Sequence, residues 1–191
     1  GGEVAVVVVG GGDPADERVA PRRAPDRHHH VDRRQHDDLA GHAMAEAGAD
    51  VATACDWLKP RQINDVVGDW AVRRPDLRPG GWAFQYANPH YPDVDDTAVV
   101  GMLLHRQGDP AHTESIDRAR EWIIGMQSSD GGWGAFDADN DKFYLNNLPF
   151  ADHGALLDPP TADVSARCVS LLAQKGEPLD SPRMKAALAS T

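Results

Sequence analysis

A tryptophan–glutamine–glycine pattern occurs twice in this chain and limits its architecture more than any other feature. Trp57-x4-Gln62 is followed by Gly68-Asp69-Trp70, and sixty-five residues later Trp122-x4-Gln127 is followed by Gly131-Gly132-Trp133. A second echo overlaps it. Gly80-Gly81-Trp82-Ala83-Phe84 returns as Gly131-Gly132-Trp133-Gly134-Ala135-Phe136, and each copy leads through a loop to an Asp-led helix, at Asp96-Thr97-Ala98 and at Asp163-Val164-Ser165. A helix-pair unit that buries its apolar face only against its neighbours builds a toroid or a solenoid. The glutamine at the helix end can bond free backbone groups of the next turn, and its amide can stack on the indole. Both are structural jobs, and Trp70, Trp82 and Trp133 are read as packing.

Helical periodicity covers the body of the chain. "DDLAGHAMAEAG" puts Leu39, Ala43, Met44 and Ala47 on one face with Gly48 as a stop, and "DVATACDWLKPRQ" repeats the format. "DDTAVVGMLLHRQG" predicts a third helix that starts at Asp96 or Thr97 and ends at Gly108. "TESIDRAREWIIGMQ" predicts a fourth with a Thr113 or Ser115 cap, "TADVSARCVSLLAQKG" a fifth, and "SPRMKAALAS" a sixth. Strand patterns are nearly absent after Val9, so the expected class is all-α. Residues 1–36 differ from the rest: apart from Val4–Val9 they offer nothing to fill a core, and the expectation is disorder or loose packing. Nearly all their residue types come from GC-rich codons, so this segment reads as out-of-frame or foreign sequence joined ahead of 37–191. Gly10-x-Gly12-x-x-Ala15 is a poor dinucleotide fingerprint, because Pro14 interrupts it and no amphipathic helix follows. His28–His30 lies in a polar, Arg-rich stretch, and no Cys or His at helical spacing completes a metal site. The net charge of −11 argues against a nucleic-acid partner. Cys55 and Cys168 show no metal spacing, and a reduced setting fits them. No apolar run approaches the roughly 20 residues of a membrane span. The first residue is Gly and the last lies in a helical pattern, so the chain reads as a piece of something longer.

The chemistry-bearing stretch is "YPDVDDTAVV", in which Asp93, Asp95 and Asp96 lead straight into apolar residues. The Gln-to-Gly-Trp repeats resemble the QW motifs of the squalene–hopene and oxidosqualene cyclase family. "DVDD" at 93–96 matches the Asp-x-Asp-Asp motif of the squalene–hopene branch, whereas the other branch has a single Asp followed by Cys. "GDWAVRRPDLRPGGWAFQYANPHYPDVDDTAVV", "WIIGMQSSDGGWGAFDADN" and "LDPPTADVSARCVSLLAQ" resemble that branch over their whole length. The resemblance covers 37–191 and implies part of an α/α-barrel catalytic domain, one of two such domains in a parent several times longer.

What the resemblance implies is a proton-initiated polycyclisation. Squalene has no leaving group, so a terminal C=C must be protonated by an acid that is neutral at rest and strong when used. By family position Asp95 is the general acid and Asp93 and Asp96 are its partners. Burial and like charge would hold the proton on Asp95, and the three form one coupled titrating unit. Arg167, where family members can carry His, would supply the cation that stabilises the conjugate base. Its alternative is a structural i, i+4 pair with Asp163. Phe84 and Phe136 match family positions that line the cavity, where aromatic faces stabilise a migrating cation by roughly 1–2 kcal/mol each. Core filling is their alternative, and Tyr86 and Tyr91 stay open. "DVDD" has the wrong order for a diphosphate–magnesium motif. "DADNDKFYLNNL" begins like a calcium loop with Asp137, Asp139 and Asp141 but has Lys142 and Leu148 where Gly and Glu are needed. The resemblance thus implies squalene as substrate, hopene or hopanol as product, and no metal or organic cofactor. It also implies peripheral attachment to the cytoplasmic face of a bacterial membrane, homodimerisation as a possibility for the parent, and no turnover by this piece alone. The competing readings are a non-catalytic helical-repeat remnant and another class II terpene cyclase, against which the repeated motifs argue.

Overall fold

The computed structural model describes residues 41, 43–45, 47–85, 88–142 and 157–190. Outside them lie 1–36 with Val4–Val9, Gly10–Ala15 and His28–His30, residues 37–40, 42 and 46 of the stretch expected to be helical over 37–48, Tyr86 and Leu148. The described residues are mostly helical. Residues 41 and 43–45 are helical, and then come α1 Ala52–Leu58, α2 Val94–Gln107, α3 Thr113–Gly125, α4 Ala162–Gln174 and α5 Pro182–Ser190. Single 3₁₀ turns stand at Lys59–Arg61, Asp69–Val72 and Pro110–His112. The all-α expectation needs one correction: β1 Trp82–Ala83 and β2 Pro92–Asp93 pair antiparallel, Trp82 opposite Asp93 and Ala83 opposite Pro92. Two residues a side leave no alternation to read.

The helices differ in how much of their circumference is buried, and this orders them. On α2, Val94 and every residue from Asp96 to Leu104 are buried. A helix apolar all round belongs in the middle of the packing. Its Val94, Ala98, Val99 and Met102 join Cys168, Leu171 and Leu172 of α4 in one core cluster. Val100, Leu103 and Leu104 join Cys55 and Leu58 of α1 and Ile116 and Ala119 of α3 in another. By contrast α3 buries one stripe, Ser115, Ile116, Ala119, Trp122 and Ile123, and exposes Glu114 and Asp117. The helix starts differ from the sequence expectation in two places. The cap of α2 is Asp93, ahead of Asp96 and Thr97, and only Gly108 ends it as expected, at φ +80°. Neither Thr113 nor Ser115 caps α3. Its N-cap is His112 without a side-chain bond, because the Pro110 turn, closed by Asp109 Oδ1 accepting the Ala111 N–H at 2.8 Å, runs directly into the helix.

The repeat is a recurring set of hydrogen bonds. Gln62 Nε2 donates to the carbonyls of Gly80 and Ser115, both at 2.8 Å. Gln127 Nε2 donates to those of Gly131 at 2.7 Å and Arg183 at 3.2 Å. The Trp82 indole donates to the Leu58 carbonyl at 2.9 Å, and the Trp133 indole to that of Ile123 at 2.7 Å. The Trp82 N–H donates to Thr97 Oγ1 at 2.9 Å, and that of Trp133 to Ser165 Oγ at 3.0 Å. Each first glycine lies against the backbone of a later helix, α3 for Gly80 and α5 for Gly131. A Cβ on Gly80 would meet the Arg118 carbonyl at 2.5 Å, and one on Gly131, where φ is +102°, would meet Ala186 backbone at 2.5 Å. These equivalences pair α1 with α3 and α5, and α2 with α4. They also correct the register: Gly80-Gly81-Trp82, not Gly68-Asp69-Trp70, corresponds to Gly131-Gly132-Trp133. The glutamine reaches 18 residues ahead in the first copy and 4 in the second, so the Asp69–Val72 turn belongs to an insertion. Trp70 packs edge-on against Trp122, centroids 5.9 Å apart, while Trp57, equivalent to Trp122 in the repeat, is 44% exposed with the Arg61 guanidinium 3.7 Å over its ring.

Candidate active site at the start of α2

The β1–β2 pair holds Asp93 in extended backbone, φ −102° and ψ 130°, just before the first turn of α2. From there its Oδ1 accepts the N–H groups of Asp95 at 2.7 Å and Asp96 at 3.0 Å. Thr97 Oγ1 donates to the Asp93 carbonyl at 2.6 Å while it accepts the Trp82 N–H, so the acid-bearing turn is tied to the first Gly-Gly-Trp loop. All three carboxylates of the cluster therefore lie within the cap and first turn, but in different surroundings.

Asp93 is 4% exposed and its carboxyl is pushed up to about 8. Burial is the main cause and the neighbouring Asp96 carboxylate the next, against the two cap bonds, which favour the charged form. Asp96 is 8% exposed. The Asp95 side chain is 21% exposed and faces α4, where Arg167 Nη1 donates to both of its oxygens at 2.7 and 2.6 Å. That bond is the first cause of the raised proton affinity of the Arg167 guanidinium, ahead of the Asp163 charge. The Asp163 carboxyl is held low chiefly by the Thr161 hydroxyl. Arg167 thus meets the acid cluster across the α2–α4 contact, with the Asp163 charge acting on it as well. Burial falls most heavily on Asp93, while Asp95 turns toward a cation. Beside Arg167, burial and the Asp95 charge push the Cys168 thiol well above its ordinary range, so it stays a neutral S–H.

The two phenylalanines meet. Phe84 and Phe136 stack edge to face, with centroids 6.3 Å apart and planes at 86°, and with Gln85, Asn88 and Tyr91 they line a cavity of about 320 Å³. Phe84 follows β1 and Tyr91 precedes β2, so the hairpin places both near the α2 cap. The Phe136 loop reaches the same turn from the other side, where the Ala135 carbonyl accepts the Val94 N–H at 2.7 Å. Sequence reasoning missed Asp158, whose carboxylate accepts the N–H groups of Ala135, Phe136 and Asp137 at 2.9, 2.5 and 2.7 Å. The only signal was an acid in "LDPP", with no spacing relation to the loop it serves. In the calcium-like stretch, Asp139 accepts from Arg74 and from the Ser129 N–H, and Asp137 from Asn140. Among the described residues no group of three or more His, Cys, Asp or Glu is arranged to hold a metal ion, and no helix is long and apolar enough to cross a membrane.

The squalene-hopene cyclase C-terminal domain profile matches residues 36–190. A squalene-hopene cyclase of Schizosaccharomyces japonicus is 64% identical over 156 residues, 75% of this chain and 24% of the relative. That of Zymomonas mobilis is 63% identical over 160 residues, 78% and 24%. That of Alicyclobacillus acidocaldarius is 48% identical over 126 residues, 64% and 20%. The chain spans about a quarter of the length of the first two. Over most of its length, therefore, the chain belongs to the squalene-hopene cyclase C-terminal domain family.

Proposed function

We propose that these residues form the proton-donating wall of a cyclase that converts squalene to hopene or hopanol, an intramolecular transferase in hopanoid synthesis. The observation that carries this reading is the Arg167–Asp95 contact beside the buried carboxyl of Asp93. Asp95 is the donor to the terminal alkene, and the guanidinium stabilises the carboxylate left behind. Asp93 is the proton store. When its proton passes to Asp95, the negative charge remains on a carboxylate already held by two amide N–H groups at the positive end of α2. This recharges the donor without His at 167, and the Asp93 carboxylate then takes up a proton from solvent before the next turnover. The alkene is activated by a proton rather than by ionising a diphosphate, so the proposed step draws on no metal or organic cofactor. Phe84 and Phe136 offer π faces to the migrating charge, and the neutral Cys168 offers no thiolate to trap it.

The rest of the proposal concerns the longer protein: the helix-pair repeat continued into an α/α barrel, peripheral attachment to the cytoplasmic face of a bacterial membrane, and a homodimer. The test is a chimera carrying 36–190 in place of the matching segment of the Zymomonas mobilis cyclase. The chimera yields pentacyclic product from squalene, Asp95→Asn abolishes it, and the 191-residue chain alone yields none. A cyclising Asp95→Asn chimera refutes the assignment of the acid.

A further inference from the structure

Asp158 precedes α4 and lies apart in sequence from the Asp93–Asp96 cluster. It lies where the chain returns beside Asn140, its N–H donating to that carbonyl at 3.2 Å. From this anchored backbone its carboxylate turns onto the loop after Trp133. Three consecutive amides, those of Ala135, Phe136 and Asp137, converge on its two oxygens. The approach is close: a Cβ on Gly134 would lie 2.4 Å from the Asp158 carbonyl oxygen and 2.8 Å from Oδ2. The Ala135 carbonyl, on the same peptide chain, holds the Val94 N–H of the acid-bearing turn. The first copy of the repeat does this job differently, tying its Gly-Gly-Trp loop to α2 by the Trp82–Asp93 strand pair. The second copy has a carboxylate instead.

We propose that Asp158 is a positioning residue: it fixes the Phe136 ring against Phe84 and the α2 terminus, and so sets how far the cation travels before it is quenched. This rests on the proposed function. Proton transfer from Asp95 breaks its O–H bond and the π bond of the terminal alkene, forms a C–H bond and leaves a carbocation and the Asp95 carboxylate; each ring closure spends one further C=C π bond to form a C–C bond and moves the charge onward. If the π face that should receive the charge is displaced, the cation ends early. It either loses a proton from the adjacent carbon to water, leaving an alkene, or adds water and loses a proton, leaving an alcohol. Initiation at Asp95 is untouched and ring count falls.

Asp158→Asn keeps the shape but turns an NH₂ group toward amide donors. Asp139→Asn is the control, since Asp139 serves Ser129 and Arg74 and none of the three amides. Hydrogen exchange on the 191-residue chain should be at least tenfold faster at Ala135, Phe136 and Asp137 in Asp158→Asn and unchanged there in Asp139→Asn. In the chimera, Asp158→Asn should consume squalene within threefold of the parent while its fraction of mono- and bicyclic products rises at least fivefold. Asp139→Asn should keep the parent ratio. Unchanged exchange, or a fall in consumption at an unchanged product ratio, overturns the proposal. A chimera that leaves squalene untouched fails the functional reading instead, and the exchange experiment still decides whether Asp158 holds the loop.

Discussion

Replacing Asp93 by Asn keeps a side-chain oxygen at the cap of α2 and deletes a buried titration. Asn and Asp cap helices about equally well, so the two N–H groups of Asp95 and Asp96 keep an acceptor. What changes is the response to pH. The Asp93 carboxyl moves from 3.8 to about 8 on burial, so between those values the folded chain holds a proton that the unfolded chain releases. A raised carboxyl stabilises the fold fully below the unfolded value and loses that contribution as pH climbs through the folded one. The stability of the parent relative to Asp93→Asn should therefore fall by about 1.4 kcal/mol per pH unit inside the window, or about 3 kcal/mol from pH 5 to pH 7, and level off above pH 8. Urea unfolding of both chains across pH 5–9 measures it, and taking the difference cancels the groups the two chains share. Parallel curves within about 0.5 kcal/mol would refute the burial argument. A parent that gains on the variant as pH rises would show that the cap bonds and the helix terminus outweigh desolvation, and would remove Asp93 as a proton store.

Arg167→Ala leaves the Asp95 carboxylate without its guanidinium and, in the chimera, should lower turnover of squalene by roughly 10²–10³, the usual cost of removing one charge-stabilising donor. Gas chromatography of the products measures it, and a loss below threefold would refute the role. Gln127→Ala strips the Gly131 and Arg183 carbonyls of a donor and Gln62→Ala does so for Gly80 and Ser115. Each should cost about 1–3 kcal/mol of unfolding free energy. Neutral effects on chemical denaturation would mean the recurring bonds do not hold the repeat.

Local signals located the helices better than their starts. Gly108 ends α2 where expected because a left-handed residue after a periodic segment is a local device. The start was ambiguous, since Asp93, Asp95, Asp96 and Thr97 are all competent caps and lie within one turn. The choice is made by Trp82, fifteen residues away from Thr97, whose strand pairing with Asp93 imposes the extended backbone a cap needs. The repeat was misaligned at Gly68-Asp69-Trp70 for a related reason. Similar spacing along the chain favoured that match, Gly68 standing six residues after Gln62 and Gly131 four after Gln127, but a glutamine amide bonds whichever carbonyl the fold presents, and an insertion changes the spacing without changing the bond.

The candidate site shows the same division more sharply. Asp93, Asp95 and Asp96 are chemically identical in sequence, and their spacing says only that they share a helix terminus. What separates them is opposite each one: strand backbone over Asp93, a guanidinium before Asp95. Desolvation raises the carboxyl in the first setting, and in the second a guanidinium faces both oxygens, two settings that the proposed store and donor would use. Sequence position can name the residues of such a unit but cannot divide the roles, because desolvation and pairing are supplied by β1 and α4. Asp158 is the limiting case, an acid whose three partners lie 21 to 23 residues upstream and contribute only backbone N–H groups, which every residue but proline carries.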